Sequence, residues 1–367
     1  REGIKIPHIV NDEKLLQFTA TVFQSFGVSR EKATICADNL VTADLRGIPS
    51  HGVARLQRYV DGMKTGVIFP LSEPEVVRDF ASNATVDGHA GLGQIVAHFA
   101  TRLAIDKANK SGVGIVAVRN SNHFGIAGYY SEMMLKEGML GVSLTNSAPL
   151  VVPTFGKEML VGTNPISLAA PAGRNRPFFI DMATSVVPRG KLEVYNREEK
   201  SMPKGWAVDA KGAVTTNAGH VLDNMLNRVG GGILPLGGSG ELFSGYKGYG
   251  MAMIVDILSG VLSGGAYANL VNKKVDGKPA PANVSHFFMA LKIENFVDME
   301  TFTSSMDDFI DKLKLSSKAD GEDRIFIHGE KEYERFEANK AEGVPLQEKV
   351  FAALRVIGSE CNVAFDL

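Results

Sequence analysis

Ser50-His51-Gly52-Val53-Ala54-Arg55 sets an imidazole and a guanidinium four residues apart. On a helix, that spacing puts both side chains on one face. A forked guanidinium matches a carboxylate. An imidazole that titrates near neutrality can trade a proton with a neighbouring oxygen. A helix beginning at Ser50, with that serine as its N-cap, would add free N–H groups and a dipole that favour anions. The chemistry on offer is capture of a small acid with proton exchange beside it. Spacing alone favours a capping serine next to two surface side chains.

Four more segments carry candidate groups. Asn120-Ser121-Asn122-His123-Phe124-Gly125 places His123 among short polar residues, after an apolar run and before a helical pattern. Open α/β sheets put ligands at such a junction, although a plain polar turn reads the same. Gly162-Thr163-Asn164-Pro165 precedes Asp181-Met182-Ala183-Thr184-Ser185. Asp181 could accept from an imidazole or an amide, and Thr184 and Ser185 could serve phosphates or a ribose; turns and helix caps use the same residue types. Gly245-Tyr246-Lys247-Gly248 sets a cation in glycine-rich backbone, able to cradle phosphate or a nicotinamide ring or simply to form a flexible loop. Ile327-His328-Gly329-Glu330-Lys331 has the spacing of a charged turn. His8, His89, His98, His220 and His286 lack polar companions in the sequence and read as structural or surface residues.

The elements that must hold these groups follow from apolar periodicity. Ser29 to Leu45 reads as a helix stopped by Gly47, and a second helix from Ser50 buries Leu56, Tyr59, Val60 and Met63. Gln94–Lys110 and Ala127–Lys136 are helical patterns. They alternate with strand candidates at Val113–Val118, Leu140–Thr145, Ile166–Ala170 and Pro177–Ile180. Such alternation indicates an α/β core. Residues 230–250 are dense in glycine and read as loops, and Met251–Val271 as a buried helix closed by a glycine-rich turn, its Asp256 arguing against a membrane span. His286–Ile293 is a further strand; Asp307–Leu315 and Leu346–Cys361 are helices with a loop, Arg324–Tyr333, between them. The expected organisation is a helical part over 1–75, packed with 300–367, around an α/β core over 76–299, which the resemblance named below implies is cofactor-binding.

Composition narrows the function classes. With 367 residues, 44% hydrophobic and 22% charged, the chain can bury a real core, and a net charge of −2 gives no footing for nucleic acid. Two cysteines do not make a disulfide framework and fit a reducing compartment. No G-x-G-x-x-G, Walker A loop, HExxH, CxxC pair or G-x-S-x-G occurs, so the common cofactor, metal and hydrolase motifs are missing.

The segments ADLRGIPSHGVAR (43–55), NSNHFG (120–125), GTNP (162–165), IDMATS (180–185) and GYKG (245–248) together resemble the malate/L-lactate dehydrogenase family. That family includes L-sulfolactate, ureidoglycolate and diketogulonate dehydrogenases, and the resemblance runs from about Ile9 to Cys361. It implies a non-Rossmann NAD(P)-binding α/β core with a mixed sheet plus a helical layer, in a cytoplasmic homodimer. It also implies reversible reduction of a small 2-oxo acid, with oxaloacetate/malate leading. NAD is favoured over NADP, and no metal, nucleic acid or membrane partner is expected. His51 ranks first as the proton-exchanging residue and His123 second. Arg55, Ser50 and Thr163 would meet the substrate. Asn122, Ser147, Asn164, Asp181, Met182, Ala183, Thr184, Lys247, Gly329, Glu330 and Lys331 would meet the cofactor. Two departures from the pattern are Pro188 before Arg189-Gly190-Lys191, and IFIHGEK (325–331), which lacks a proline before Gly329-Glu330. The alternatives are a cyclic 2-imino acid reductase and a catalytically silent relative with a binding role.

Overall fold

The run His286-Phe287-Phe288-Met289-Ala290 does not alternate polar with apolar, so a strand built from it must be covered on both faces. In the computed structural model, which describes residues 7–367, this run is the middle strand of a seven-stranded sheet.

The elements in chain order begin with β1 (His8–Val10), α1 (Asp12–Gln24), α2 (Arg30–Leu45) and α3 (Leu56–Lys64). The core then adds β2 (Glu75–Asp79), β3 (Asn83–Asp87), α4 (Gly93–Ser111), β4 (Val113–Ser121), α5 (Gly128–Lys136), β5 (Met139–Thr145), β6 (Ile166–Ala170) and β7 (Phe178–Met182). A smaller lobe holds α6 (Arg189–Arg197), β8 (Ala207–Val208), β9 (Val214–Thr215), α7 (Ala218–Asn227) and β10 (Gly232–Ile233). The chain closes with α8 (Gly245–Asp256), β11 (Val284–Lys292), α9 (Met299–Leu315), α10 (Glu330–Glu342), β12 (Val344–Leu346) and α11 (Glu348–Cys361).

The large sheet runs β2-β3-β4-β11-β5-β6-β7. Only β3 and β4 pair in parallel; every other neighbour is antiparallel. On β11, Phe288 and Ala290 pack beneath α4 and α5, while Phe287 and Met289 pack with Val255 of α8 on the opposite face. The strand is thus sandwiched, as its unbroken apolar run requires.

A separate apolar cluster joins α1, α2 and α3 to α11 near the other end of the chain, and β1 pairs with β12 beside it. Leu92 and Ile95, at the start of α4, belong to the same cluster. Helix α9 lies instead along the β6–β7 connection, where Asp307 accepts from the N–H groups of Arg174 and Asn175.

Gly114 shows how tightly α4 sits on the sheet. A Cβ there would overlap the Ala104 carbonyl in the middle of α4. Gly114→Ala should therefore lower the unfolding free energy by about 1–3 kcal/mol. A urea titration would show this as a lower midpoint at unchanged slope; an unmoved midpoint would mean that α4 yields without cost.

Candidate active site

The segment between α2 and α3 is shaped by a buried carboxylate. Asp44 accepts the Val53 N–H at 2.7 Å, and a Cβ at Gly52 would overlap that carboxylate. Only a glycine lets the backbone cross so closely. The expectation of a helix starting at Ser50 is therefore corrected. The chain makes a turn, then a single 3-10 turn at Val53–Arg55, and α3 proper starts at Leu56. Asp44, nine residues upstream, takes the N–H that a serine cap would have served.

Freed from capping, Ser50 Oγ lies 3.0 Å from His51 Nδ1. Arg55 donates from Nε to the Ser50 carbonyl, so it is tied back to the turn. His123 arrives from the loop beyond β4, and its ring stacks on His51 with centroids 5.6 Å apart. Asn122 fixes that loop by donating at 2.8 Å to the carbonyls of both Ala90 and Gly91.

Two residues that the periodicity assigned no chemistry complete the cluster. Tyr59 is fully buried, yet its hydroxyl lies 2.6 Å from His123 Nδ1. Arg58, the residue before it, acts on both imidazoles. Burial, then Arg55 and Arg58, push the His51 imidazole down to about 4. His123 is held well below its usual range by burial, then Arg58, His51 and Arg55. Both rings are neutral at pH 7, beside two cations. Such a site accepts an acid and offers nitrogen atoms for proton exchange.

A cleft of about 270 Å³ opens beside Ile48, three residues before His51. Phe179, Asp181, Met182, Phe326, His328, Gly329 and Lys331 are among its lining residues. It unites two segments that are about 150 positions apart in sequence. Gly329 has φ +94°, and a Cβ there would lie 2.7 Å from Phe179 Cβ. Lys331 Nζ sits 4.2 Å from the Phe326 ring centroid. Bare backbone at a helix start, an ammonium, apolar walls and the Asp181 carboxylate suit the phosphate and ribose ends of a dinucleotide. Asp181 also accepts the Gly128 N–H at the start of α5, at 2.7 Å. Burial pushes its carboxyl up to about 6, against the pull of that N–H and of Arg46, with Glu332 adding to the rise.

The other expected contacts fall in different places. Ser147, Thr163, Asn164 and Thr184 form one network. Thr163 N–H donates to Ser147 Oγ at 3.0 Å, and Ser147 N–H to Asn164 Oδ1 at 3.1 Å. Thr184 Oγ1 donates to the Thr163 and Asn164 carbonyls. Asn164 and Thr184 are fully buried. Ala183 directly follows β7. Glu330 is buried as well, paired with Lys314 and Arg324 and accepting the Ile327 N–H. Lys247 is exposed and is not part of the cleft wall.

Three further expectations are corrected. Gly245–Gly250 is not a loop but the start of α8, because Gly245 and Gly248 let it press on the carbonyls of Gly238 and Leu236. Residues 324–333 are not all loop, since α10 begins at Glu330. His286 does not lack polar company: Thr145 Oγ1 and Ser121 Oγ each lie 2.8 Å from its ring nitrogens. His8 and His89 also pair, with Glu348 and Glu75. All of these partners are remote in sequence.

Among the described residues, no cluster of His, Cys, Asp or Glu could hold a metal ion, and no helix is long and apolar enough to cross a membrane.

The profile of the malate/L-lactate dehydrogenase family matches residues 10–355. The chain is 49% identical over 351 residues to a malate dehydrogenase of Pyrococcus abyssi, covering 96% of this chain and 94% of that protein. It is 39% identical to an L-sulfolactate dehydrogenase of Methanocaldococcus jannaschii, covering 97% of each. The solved malate dehydrogenase of Pyrococcus horikoshii superposes with a TM-score of 0.88 at 46% identity, covering 98% of this chain and 97% of that one.

Asp44 gives a test of the turn. Burial pushes its carboxyl up to about 7 from an ordinary 3.8, against the pull of the Val53 N–H. Between those limits the folded chain holds a proton that the unfolded chain has released. Stability therefore falls as pH rises through that window. Asp44→Asn keeps an acceptor for Val53 and removes the charge. It should be more stable than wild type by about 1–3 kcal/mol at pH 8, with the gap closing at pH 5. Thermal unfolding at both pH values checks this; an equal gap at both would remove Asp44 as the source.

Proposed function

This chain belongs to the malate/L-lactate dehydrogenase family and is a 2-hydroxy acid dehydrogenase, and on that premise we propose that its substrate pair is malate and oxaloacetate. The carrying observation is that two guanidinium groups, Arg55 and Arg58, act on one pair of imidazoles. A monoacid such as lactate needs one cation; a diacid uses two. In this reading Arg55 holds the C1 carboxylate and Arg58 the second acidic group, with Ser50 and Thr163 completing the substrate contacts. His51 exchanges the proton with the C2 oxygen, and His123 stands beside it.

The nicotinamide cofactor, when bound, supplies or accepts the hydride. Asp181, Met182, Gly329 and Lys331 would hold it along the cleft. Glu330 would fix the loop before α10. Asp181 and Glu332 both line that cleft, which favours ribose hydroxyls over a 2′-phosphate and so NAD over NADP.

The active form is a homodimer in the cytoplasm. Tyr246, Met253, Ile254, Ile257, Val261 and Leu262 leave an apolar strip along α8 and the π-helical turn that follows it. This strip departs from the buried helix expected over 251–271, and a second copy of the chain is the cover that fits it. Cys36 and Cys361 are both free thiols, as a reducing compartment keeps them.

Steady-state assays with oxaloacetate, sulfopyruvate, pyruvate and a cyclic 2-imino acid, each with NADH and NADPH, test the substrate reading. Oxaloacetate with NADH should give the highest kcat/KM. Arg58→Ala should raise KM for oxaloacetate about tenfold or more, with little change for pyruvate. An equal loss for both acids would reject Arg58 as the second anchor.

The same site sets a pH dependence. With its pKa near 4, free His51 is already a base at pH 7. Oxidation of the hydroxy acid should keep a flat kcat/KM from pH 7 down to about 5 and fall only near 4. Reduction, which needs the protonated ring, should lose about tenfold in kcat/KM per pH unit above that point. Profiles in both directions check this, and a limb near 6.5 would show an unshifted histidine. Light scattering on Ile257→Glu tests the dimer: the variant should run as a monomer where the parent runs as a dimer.

A further inference from the structure

Two neutral imidazoles lie side by side, but their surroundings allow them different protonation behaviour. His123 Nδ1 receives the Gly125 backbone N–H at 3.3 Å. A backbone N–H can only donate, so Nδ1 must present its lone pair. The Tyr59 hydroxyl, 2.6 Å from the same nitrogen, then also donates to it. Burial raises the Tyr59 phenol well above its usual range, so it keeps the proton that it donates.

The Gly125 contact is fixed by the fold. Gly125 has φ +84°, and a Cβ there would overlap the Asn39 carboxamide. Any side chain at 125 would displace this backbone from its place against α2 and with it the N–H that reaches His123. With Nδ1 occupied by donors, the ring proton belongs on Nε2. A second proton would have to enter Nδ1 against an N–H that already points there.

His51 is placed differently. Among the described residues, its Nδ1 faces only the Ser50 hydroxyl, at 3.0 Å. A hydroxyl rotates to donate or to accept. The Ser50–His51 contact therefore survives in both protonation states.

We infer that His123 is a fixed neutral donor, its proton locked on Nε2 by Tyr59 and the Gly125 N–H, and that proton exchange belongs to His51 alone. Tyr59 is then a positioning residue. This deepens the proposed reaction and rests on it for the identity of the oxygen concerned. In the reducing direction, C2 gains a hydride from the nicotinamide cofactor, and the carbonyl π pair moves onto oxygen. That oxygen takes the proton from the His51 imidazolium, which becomes neutral. His123 donates a hydrogen bond from Nε2 to the same oxygen throughout and loses nothing. Oxidation reverses each transfer.

Two experiments test this. In the first, the full chain is labelled with ¹⁵N-histidine, and long-range proton–nitrogen correlation spectra are recorded at neutral pH without substrate. The His123 signals, assigned by their loss in His123→Gln, should show an unprotonated Nδ1 and a protonated Nε2. Tyr59→Phe should shift the Nδ1 resonance and lower kcat with KM held. A protonated Nδ1 in the parent chain overturns the inference, and because this readout needs no turnover it stands apart from the substrate reading. In the second, amide variants replace the two histidines. His123→Gln keeps an N–H donor, so its kcat should exceed that of His123→Ala by about tenfold or more. His51→Gln cannot exchange a proton, so it should be no better than His51→Ala, each down about 10²–10⁴-fold. Rescue at position 51, or none at position 123, overturns the assignment. Failure of the parent chain with every 2-oxo acid counts against the substrate reading instead.

Discussion

A buried carboxylate at the end of α2 decides where the reactive groups lie. Asp44 is only 5% exposed and binds the Val53 N–H across a closed turn. The alternative, a serine-capped helix from Ser50, would send His51 and Arg55 out along one helical face. Instead, the turn folds back over Asp44. Ser50 is released to His51, and Arg55 is tied to the Ser50 carbonyl. The same end of α2 is held from two other directions. Asn339 of α10 donates to the Asp44 and Leu45 carbonyls, and Arg46 pairs with Glu132 of α5 over the Phe179 ring. The helical layer, the cleft lined by Phe179 and the sheet therefore meet at three consecutive residues.

The candidate residues of the site are readable in the sequence, but the contacts that surround them are not. His51, His123 and Arg55 stand out because polar groups of those types sit in short segments with turn-like neighbours. The strands were readable because apolar runs such as Val113–Val118 and His286–Ile293 suit little else. Tyr59 was hidden for the opposite reason. It falls on the apolar stripe of α3, and its ring is indeed buried; only the tertiary approach of the NSNHFG loop gives its hydroxyl a partner. Arg58 lies between two stripe positions and reads as an ordinary surface cation until the fold brings both imidazoles to it. The Asp44–Val53 bond spans nine residues with an irregular turn between, so no capping rule could find it. The start of α8 reads as a loop in the sequence because glycines spaced for close packing look the same as glycines spaced for a loop.

Electrostatics turn this geometry into selectivity. Two cations beside two neutral rings leave the empty site with net positive charge, which draws in an acid before any contact forms. A bound carboxylate would then offset the field of Arg55 and Arg58 and make the protonated form of His51 easier to reach. Under the proposed roles, the two guanidinium groups favour the neutral ring, and a carboxylate held between them would favour the protonated one. The neighbouring ring gains no such freedom, because the Gly125 N–H occupies the nitrogen where its second proton would go.

The cleft and the imidazole pair are coupled through a short stretch of backbone. Asp181 lines the cleft and also accepts the Gly128 N–H that opens α5. Gly128 is three residues after Gly125, whose N–H holds His123. Beneath that stretch, Phe124 stacks on His286 with centroids 4.5 Å apart, and His286 is pinned between Ser121 and Thr145. The loop that carries His123 is therefore fixed at its start by the sheet and at its end by a carboxylate that lines the cleft. A ligand that moves Asp181 must act on the orientation of His123, since the intervening residues, Phe124 to Ala127, are all buried and have little room to absorb the shift.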